Sequence, residues 1–429
     1  MSLPQDLLTT ATVKLLRGIL AEARPLESKA RQTVVQLSLA KIERQMQALE
    51  EPFYPRAFQL EQVHADLCPL LEIYSPFTAA DFADICRAQL HSIPAALRKT
   101  AIFGVHTAGM TCLGGILRAV EESLQGRPLI LYGQNTYYEN LAAAKLKGET
   151  VGVEEATEAD WAQADLLLAH FNPVLSLDPL RDAYRVEAVA DSVRRALVGR
   201  TKPLTLALDS TVDYIDSQRA GALLTEFQKA IETGQLNVVV YRSGLKFDLF
   251  GMDHYCGAPY AMIHSRDPHW SSFDARLADP ALQTDRLSLN WFCLAYKSAF
   301  EELETYRTQV FAHTRALLQK IPPHLLSDPE ARYQVSGAEE GADLAFIDLK
   351  VRGPLHALRG AALMGALLYT GCMEAGHPIF TRLSFGFFHP NFFVLHGEDV
   401  TTLRLTLGLD PGQVEVLAAC FQKIDELNH

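Results

Sequence analysis

At 429 residues, with 48% hydrophobic and 21% charged side chains, the chain has the composition of an ordinary folded protein large enough for two domains. A net charge of −12 argues against nucleic acid as a partner, and no run reaches the roughly 20 apolar residues of a membrane span. Seven cysteines without a CxxC pair, fourteen histidines without HxxxH or HExxH, and a first segment with no basic-then-apolar leader point to a reduced, cytoplasmic protein without a metal site. In chain order, residues 8–50 show helical periodicity split by Pro25, including Leu15, Leu16, Ile19 and Leu20, then Val34, Leu37, Ile42, Met46 and Leu49. Residues 1–75 are therefore read as a helical arm. From 76 to 286, strands expected at Leu129–Tyr132, Thr150–Val153, Leu166–His170, Leu204–Leu208 and Val238–Tyr241 alternate with helical patterns after Met110, Tyr137, Arg185 and Ala220. That alternation predicts an α/β large domain, a three-layer, mostly parallel sheet covered on both faces, with ligands bound beyond the strands' carboxyl ends. A single helical pattern from Leu287 to Lys320, closed by Pro322 and Pro323, predicts one long bridging helix over 287–324. The remainder, 325–429, reads as a smaller α+β domain, with strands at Ala345–Val351 and Thr402–Leu407 and helices at Leu358–Leu368 and Gly412–Leu427.

Four places carry chemistry. Ser243-Gly244-Leu245-Lys246 leaves the buried strand ending at Tyr241. A lysine at such a place needs a reason, because burying an ammonium is costly, and a Schiff base with an aldehyde cofactor removes the charge. Asp209 ends the preceding strand, where a pyridinium nitrogen would find a counter-charge, and Thr211 follows it by two residues. Asn172 follows the strand before that and could donate to a phenolate oxygen. Gly109 and Met110, flanked by Thr107 and Thr111, open a helical pattern, and such a small-residue loop offers backbone N–H groups and the helix dipole to a phosphate.

The order phosphate loop, aromatic cluster, Asn, Asp, Ser-x-x-Lys resembles the fold-type-I pyridoxal-phosphate enzymes, the aspartate aminotransferase superfamily. The wording is nearest the cysteine and methionine branch, whose lysine motif is Ser-x-Thr-Lys-Tyr-x-x-Gly-His-x-Asp-x-x-x-Gly. Ser243, Lys246, Phe247, Asp253 and Gly257 match it, with one residue inserted before Gly251, and Leu245 stands where the family has threonine. The resemblance covers roughly residues 75–429. It implies pyridoxal 5'-phosphate as cofactor, an internal aldimine on Lys246 as catalytic residue, and Gly109, Met110 and Ser243 at the phosphate. It further implies Asp209 at the ring nitrogen, Thr211 against the ring, Asn172 at the ring oxygen, and Tyr137 stacked on the ring, with Tyr132 as the alternative. Arg404 and Arg382, each followed by Ser or Thr two residues on and Gly four on, are candidates for a substrate carboxylate. The implied substrate is a small amino acid, taken through a quinonoid to elimination or replacement, with transamination as the alternative reaction. The family also implies a homodimer or dimer of dimers wrapped by the helical arm, with Tyr54 and Arg56 reaching a neighbour's phosphate. The Arg-Gly-Leu-x-Thr-Leu motif of the cystathionine enzymes is absent; Tyr296-Lys297-Ser298-Ala299-Phe300 stands in that area. The rival reading is a cofactor-free scaffold or regulatory relative.

Overall fold

The computed structural model describes residues 77–124, 126–133, 136–171, 186–250, 255–328, 331–336, 344–352, 357–381, 390–396 and 400–427, with Thr10, Lys14, Leu15, Arg17 and Gly18. Tyr54, Arg56, Asn172 and Arg382 lie outside these residues, as does nearly all of the expected arm.

The large sheet joins β1 (Ile102–His106), β2 (Leu129–Tyr132), β3 (Glu149–Gly152), β4 (Leu166–His170), β5 (Leu204–Asp209), β6 (Leu236–Tyr241) and β7 (Ala258–Ile263) in the order β1-β7-β6-β5-β4-β2-β3. Strands β2 to β6 pair in parallel, and β7 runs antiparallel to both β6 and β1. The carboxyl ends of β1, β2, β4, β5 and β6 therefore share one edge. The expected parallel α/β sheet is present, and the sequence reading missed β1 and β7.

Successive residues of the central strands enter different cores. Leu206, Leu208 and Val238 pack with Phe82, Val193 and Phe292, whereas Ala207 and Val239 pack with Cys112, Ile116 and Phe273. A strand buried on both faces has no polar alternation, which is why these segments read as continuous apolar runs. Helices α1 (Ala79–Gln89) and α2 (Ala95–Thr100) precede β1, α3 (Gly109–Leu124) follows it, and α4 (Tyr138–Lys147) follows β2. Thr78 caps α1 through a reciprocal capping box with Asp81. Next come α5 (Glu158–Gln163), α6 (Val186–Leu197), α7 (Gln218–Glu226), α8 (Gln228–Glu232) and, after β7, α9 (Ser271–Leu277).

The expected single bridging helix is two helices, α10 (Arg286–Ser298) and α11 (Phe300–Leu318), meeting at Ala299 with φ −137° and ψ 30°. Neither Pro nor Gly marks the break, so periodicity ran straight through it. Phe300 turns its ring toward both Tyr296 and Tyr214 there. After the short α12 (Pro323–Ser327), a second sheet forms from β8 (Tyr333–Ser336), β9 (Ile347–Arg352), β10 (Phe380–Thr381), β11 (Asn391–His396) and β12 (Val400–Thr406), in the order β10-β11-β12-β9-β8. Helices α13 (Ala357–Glu374) and α14 (Gly412–Glu426) cover it over a separate core that includes Leu349, Met364, Leu403 and Phe421. Leu15 is buried in the core of the large sheet, and Lys14 pairs with Glu302 of α11. Among the described residues no helix is long and apolar enough to cross a membrane.

Arg404 of β12 lies inside the small sheet's layer, 3% exposed, with Nε and Nη2 donating to the two oxygens of Asp348 on β9, each at 2.8 Å. Its guanidinium also lies 4.6 Å from the Phe346 ring centre. Removing one member of such a pair leaves an uncompensated buried charge. Asp348→Ala should cost about 3–5 kcal/mol of unfolding free energy, measured by denaturant titration, and Asp348→Asn should cost less because an acceptor remains.

Candidate active site

Of the expected site residues, Gly109, Asp209, Thr211 and Ser243 lie together at the shared carboxyl edge. Parallel register sets His170 of β4 beside Asp209 of β5, and Asp209 beside Tyr241 of β6. Cross-strand partners point to the same side of a sheet, so these three side chains form a row. Asn140, one turn into α4, reaches over the row. Its Nδ2 donates to Asp209 Oδ2 at 2.9 Å and lies 3.2 Å from the Tyr241 hydroxyl. The backbone N–H of Thr211 donates to Asp209 Oδ1 at 2.9 Å. Both carboxylate oxygens are thus held by neutral donors, and Asp209 has no ion pair among the described residues.

Asp209 is half-buried, and its neighbours His170, Tyr241 and Cys112 are buried. Burial holds His170 below its ordinary pKa, with the Asp209 charge opposing the shift, and the His170 Nε2 has no hydrogen-bond partner among the described residues. Burial, then the Asp209 charge, pushes the Tyr241 hydroxyl and the Cys112 thiol up. Cys112 sits in the first turn of α3, so the carboxylate and that helix's amino end lie close together.

That helix end has open donors. The first α-helical bond runs from Cys112 N–H to Ala108 O, which leaves the N–H groups of Gly109, Met110 and Thr111 ahead of it. Thr107 Oγ1 donates to Thr111 Oγ1 across the turn at 3.0 Å. A Cβ placed on Gly109 would stand 3.6 Å from the backbone N and Cβ of Ser243. Ser243 N–H in turn donates to Thr211 Oγ1 at 3.0 Å. Gly109, Thr211 and Ser243, separated in sequence, are therefore neighbours around one spot.

Lys246 is half-buried in a run of turns from Gly244 to Phe250. The run is fixed on the side of α11 by Phe247, whose ring meets Tyr306 and Phe311 edge-on at 5.7 and 5.6 Å. It is fixed on the side of α10 by Phe292, which fills the space that side chains at Gly244 and Gly257 would need. Two buried charged residues flank the lysine in sequence: Arg242 and Asp248, 5% and 0% exposed, with Arg242 Nη2 2.8 Å from Asp248 Oδ1.

The aromatic candidates occupy different places. Tyr137 caps α4, its ring 4.7 Å from that of Tyr138, and burial pushes its hydroxyl up. Asn140 is one helical turn beyond it, so the helix that positions Tyr137 also reaches Asp209. Tyr132 lies toward the β3 side, where a Cβ on Gly152 would be 3.7 Å from its ring. Arg404 belongs to the small sheet and is committed to Asp348, which speaks against the expectation that its fork receives a substrate. Sequence reasoning missed Asn140, His170, Tyr241, Arg242 and Asp248. Only Asn140 had a legible cue, a polar residue one turn after the candidate aromatic.

No protein-family model matches the chain, and no curated protein matches it either. Solved structures are similar in fold. A serine palmitoyltransferase of Sphingomonas wittichii superposes with a TM-score of 0.51 at 13% identity, over 82% of this chain and 76% of that one. An SPT with its PLP internal aldimine gives 0.52 at 12% identity, over 82% and 78%. CalE6, a methionine gamma lyase from Micromonospora echinospora, gives 0.50 at 18% identity, over 80% and 85%. The chain thus has the fold of the fold-type-I enzymes.

Gly244 offers a local test. A Cβ there would meet Phe292 Cζ at 2.5 Å and Gly257 O at 3.0 Å, so the Lys246 turn must move. Gly244→Ala should lower the affinity for an added aldehyde cofactor by about tenfold, some 1.4 kcal/mol, read by fluorescence titration, while far-ultraviolet circular dichroism stays unchanged.

Proposed function

We propose that this chain is a pyridoxal-phosphate enzyme acting on a small amino acid. The observation that carries the reading is the Asp209 carboxylate, held by Asn140 and Thr211 with no ion pair among the described residues, at the sheet edge beside the amino end of α3 and the Ser243–Lys246 turn. A half-buried carboxylate with only neutral donors suits a cationic nitrogen. The α3 donors beside Ser243 suit a phosphate. The residues present therefore fit pyridoxal phosphate, the cofactor that the similar SPT carries as an internal aldimine.

When bound, pyridoxal phosphate supplies an electron sink for a bond broken at the amino acid's α-carbon. The chain supplies the rest. The N–H groups of Gly109, Met110 and Thr111, with the Ser243 hydroxyl, bind the phosphate. Asp209 holds a proton on the ring nitrogen, and Asn140 and Thr211 fix the carboxylate that does so. Lys246 would tether the cofactor, and its free amine would accept the proton from the substrate α-carbon. Tyr137 would lie against the ring, Asn172 would face its oxygen and Arg382 would take the substrate carboxylate, since Arg404 is engaged with Asp348. The Ser243–Gly257 wording favours elimination or replacement over transamination. We place the working unit as a homodimer, on the apolar periodicity of residues 8–50.

The test is to incubate purified protein, loaded with pyridoxal phosphate, with a panel of amino acids and to assay ammonia and keto acid. Ammonia released without an amino acceptor supports elimination, and strict dependence on a keto acid makes the chain an aminotransferase. Lys246→Ala should abolish turnover. Asp209→Ala should slow it by far more than about tenfold, that is, by more than ~1.4 kcal/mol of barrier, because the ring nitrogen loses its counter-charge. A near-wild-type rate in either variant rejects the assignment. Light scattering should give twice the 47.5 kDa chain mass.

A further inference from the structure

On the face of the large sheet opposite α3, a cavity of about 40 Å³ lies between α1, α10 and the strands β1, β6 and β7. Phe82, Phe103, Ile215, Val240 and Ala261 make its wall apolar, and Arg242 supplies its charge. Arg242 is 5% exposed, and its Nε and Nη1 have no hydrogen-bond partner among the described residues. Its ionic neighbour, Asp248, approaches Nη2 at 2.8 Å but off-axis, so that Asp248 Oδ1 accepts no aligned hydrogen bond. The contrast with Arg404, whose Nε and Nη2 both meet Asp348, is direct. Donors left bare beside an apolar cavity cost free energy, and a cation there costs more. A water position needs roughly 10–15 Å³, so the space holds about three such positions, the size of a planar carboxylate.

We propose that Arg242 anchors a binding site for a small monocarboxylate, of the size of formate or acetate, in this cavity. The carboxylate gives the guanidinium the acceptors and the countercharge that Asp248 supplies only in part. Asp248 shares the turn of Lys246, but the proposal does not rest on the Lys246 assignment.

The pH dependence follows from the groups around Arg242. Burial raises Asp248 to about 6, against the pull of Arg242 and of the Tyr296 hydroxyl that donates to it at 3.3 Å. The other titratable groups facing the pair are Cys86 of α1, Tyr296 of α10 and Tyr214 after β5, all pushed up by burial and neutral. Asp248 is therefore the group whose charge changes. Below about pH 6 it takes a proton, the Arg242 charge is uncompensated, and the anion binds more tightly; above it the two carboxylates compete.

The test is calorimetric titration of formate into the full chain at about pH 5.5 and about pH 7.5. One saturable site is expected, about tenfold tighter at the lower pH. Arg242→Gln should weaken it by about tenfold or more. Because that variant disturbs a buried pair, Asp248→Asn provides a second reading. It keeps the guanidinium, and it should bind formate at the higher pH as tightly as the wild type does at the lower, with the pH dependence gone. Lys246→Ala should bind formate like the wild type, whether or not the cofactor assignment holds. Absence of saturable binding to both the wild type and Asp248→Asn overturns the proposal. So does displacement of formate by inorganic phosphate, which would place the anion at α3 instead.

Discussion

The site depends on one constraint: parallel pairing that sets His170, Asp209 and Tyr241 side by side at the carboxyl edge of the sheet. In a parallel sheet every strand delivers its last residue to the same edge, so residues far apart in sequence meet without any loop having to reach. The row then needs only Asn140 from α4 and Thr211 from the next turn to hold the Asp209 carboxylate in place. Burial of His170 and Tyr241 beside it holds His170 below its ordinary pKa, against the pull of the half-buried Asp209. A charge in that position is costly unless something cationic is to be placed against it.

The turn that carries Lys246 is held in a different way. Its backbone is pinned by aromatic packing, Phe247 on α11 and Phe292 against two glycines, rather than by regular hydrogen bonding. Asp248 of this turn pairs with Arg242, just before it. Two buried Arg–Asp pairs of the molecule thus differ in quality. Arg404 and Asp348 align with two 2.8 Å hydrogen bonds and belong to the small sheet's interior. Arg242 and Asp248 are misaligned and border a cavity. The first satisfies itself, and the second has room for a guest.

Much of this was legible in the sequence. The apolar runs ending at His170, Leu208 and Tyr241 announce parallel strands, and Asp209 and Ser243, just beyond two of them, fall at the carboxyl edge. The close approach of Gly109, Thr211 and Ser243 follows from that topology alone. Other features were not legible for physical reasons. β1 carries Gly104 at its middle and β7 contains Pro259, and each argues against a strand from sequence. The break at Ala299 carries no Pro or Gly and is invisible to periodicity. Arg404 reads as an arginine on an alternating strand, but its partner Asp348 lies 56 residues earlier and only the antiparallel register of β9 and β12 brings them together. Asn140 likewise gains its meaning from a contact 69 residues away.

The central claim is that Lys246 holds pyridoxal phosphate. Its most direct measurement is borohydride reduction of the cofactor-loaded protein, followed by proteolysis and mass spectrometry. The account predicts a phosphopyridoxyl group fixed to Lys246, and loss of that label when Asp209 and Lys246 are replaced together. A label spread over surface lysines, or none with the cofactor in excess, would contradict it.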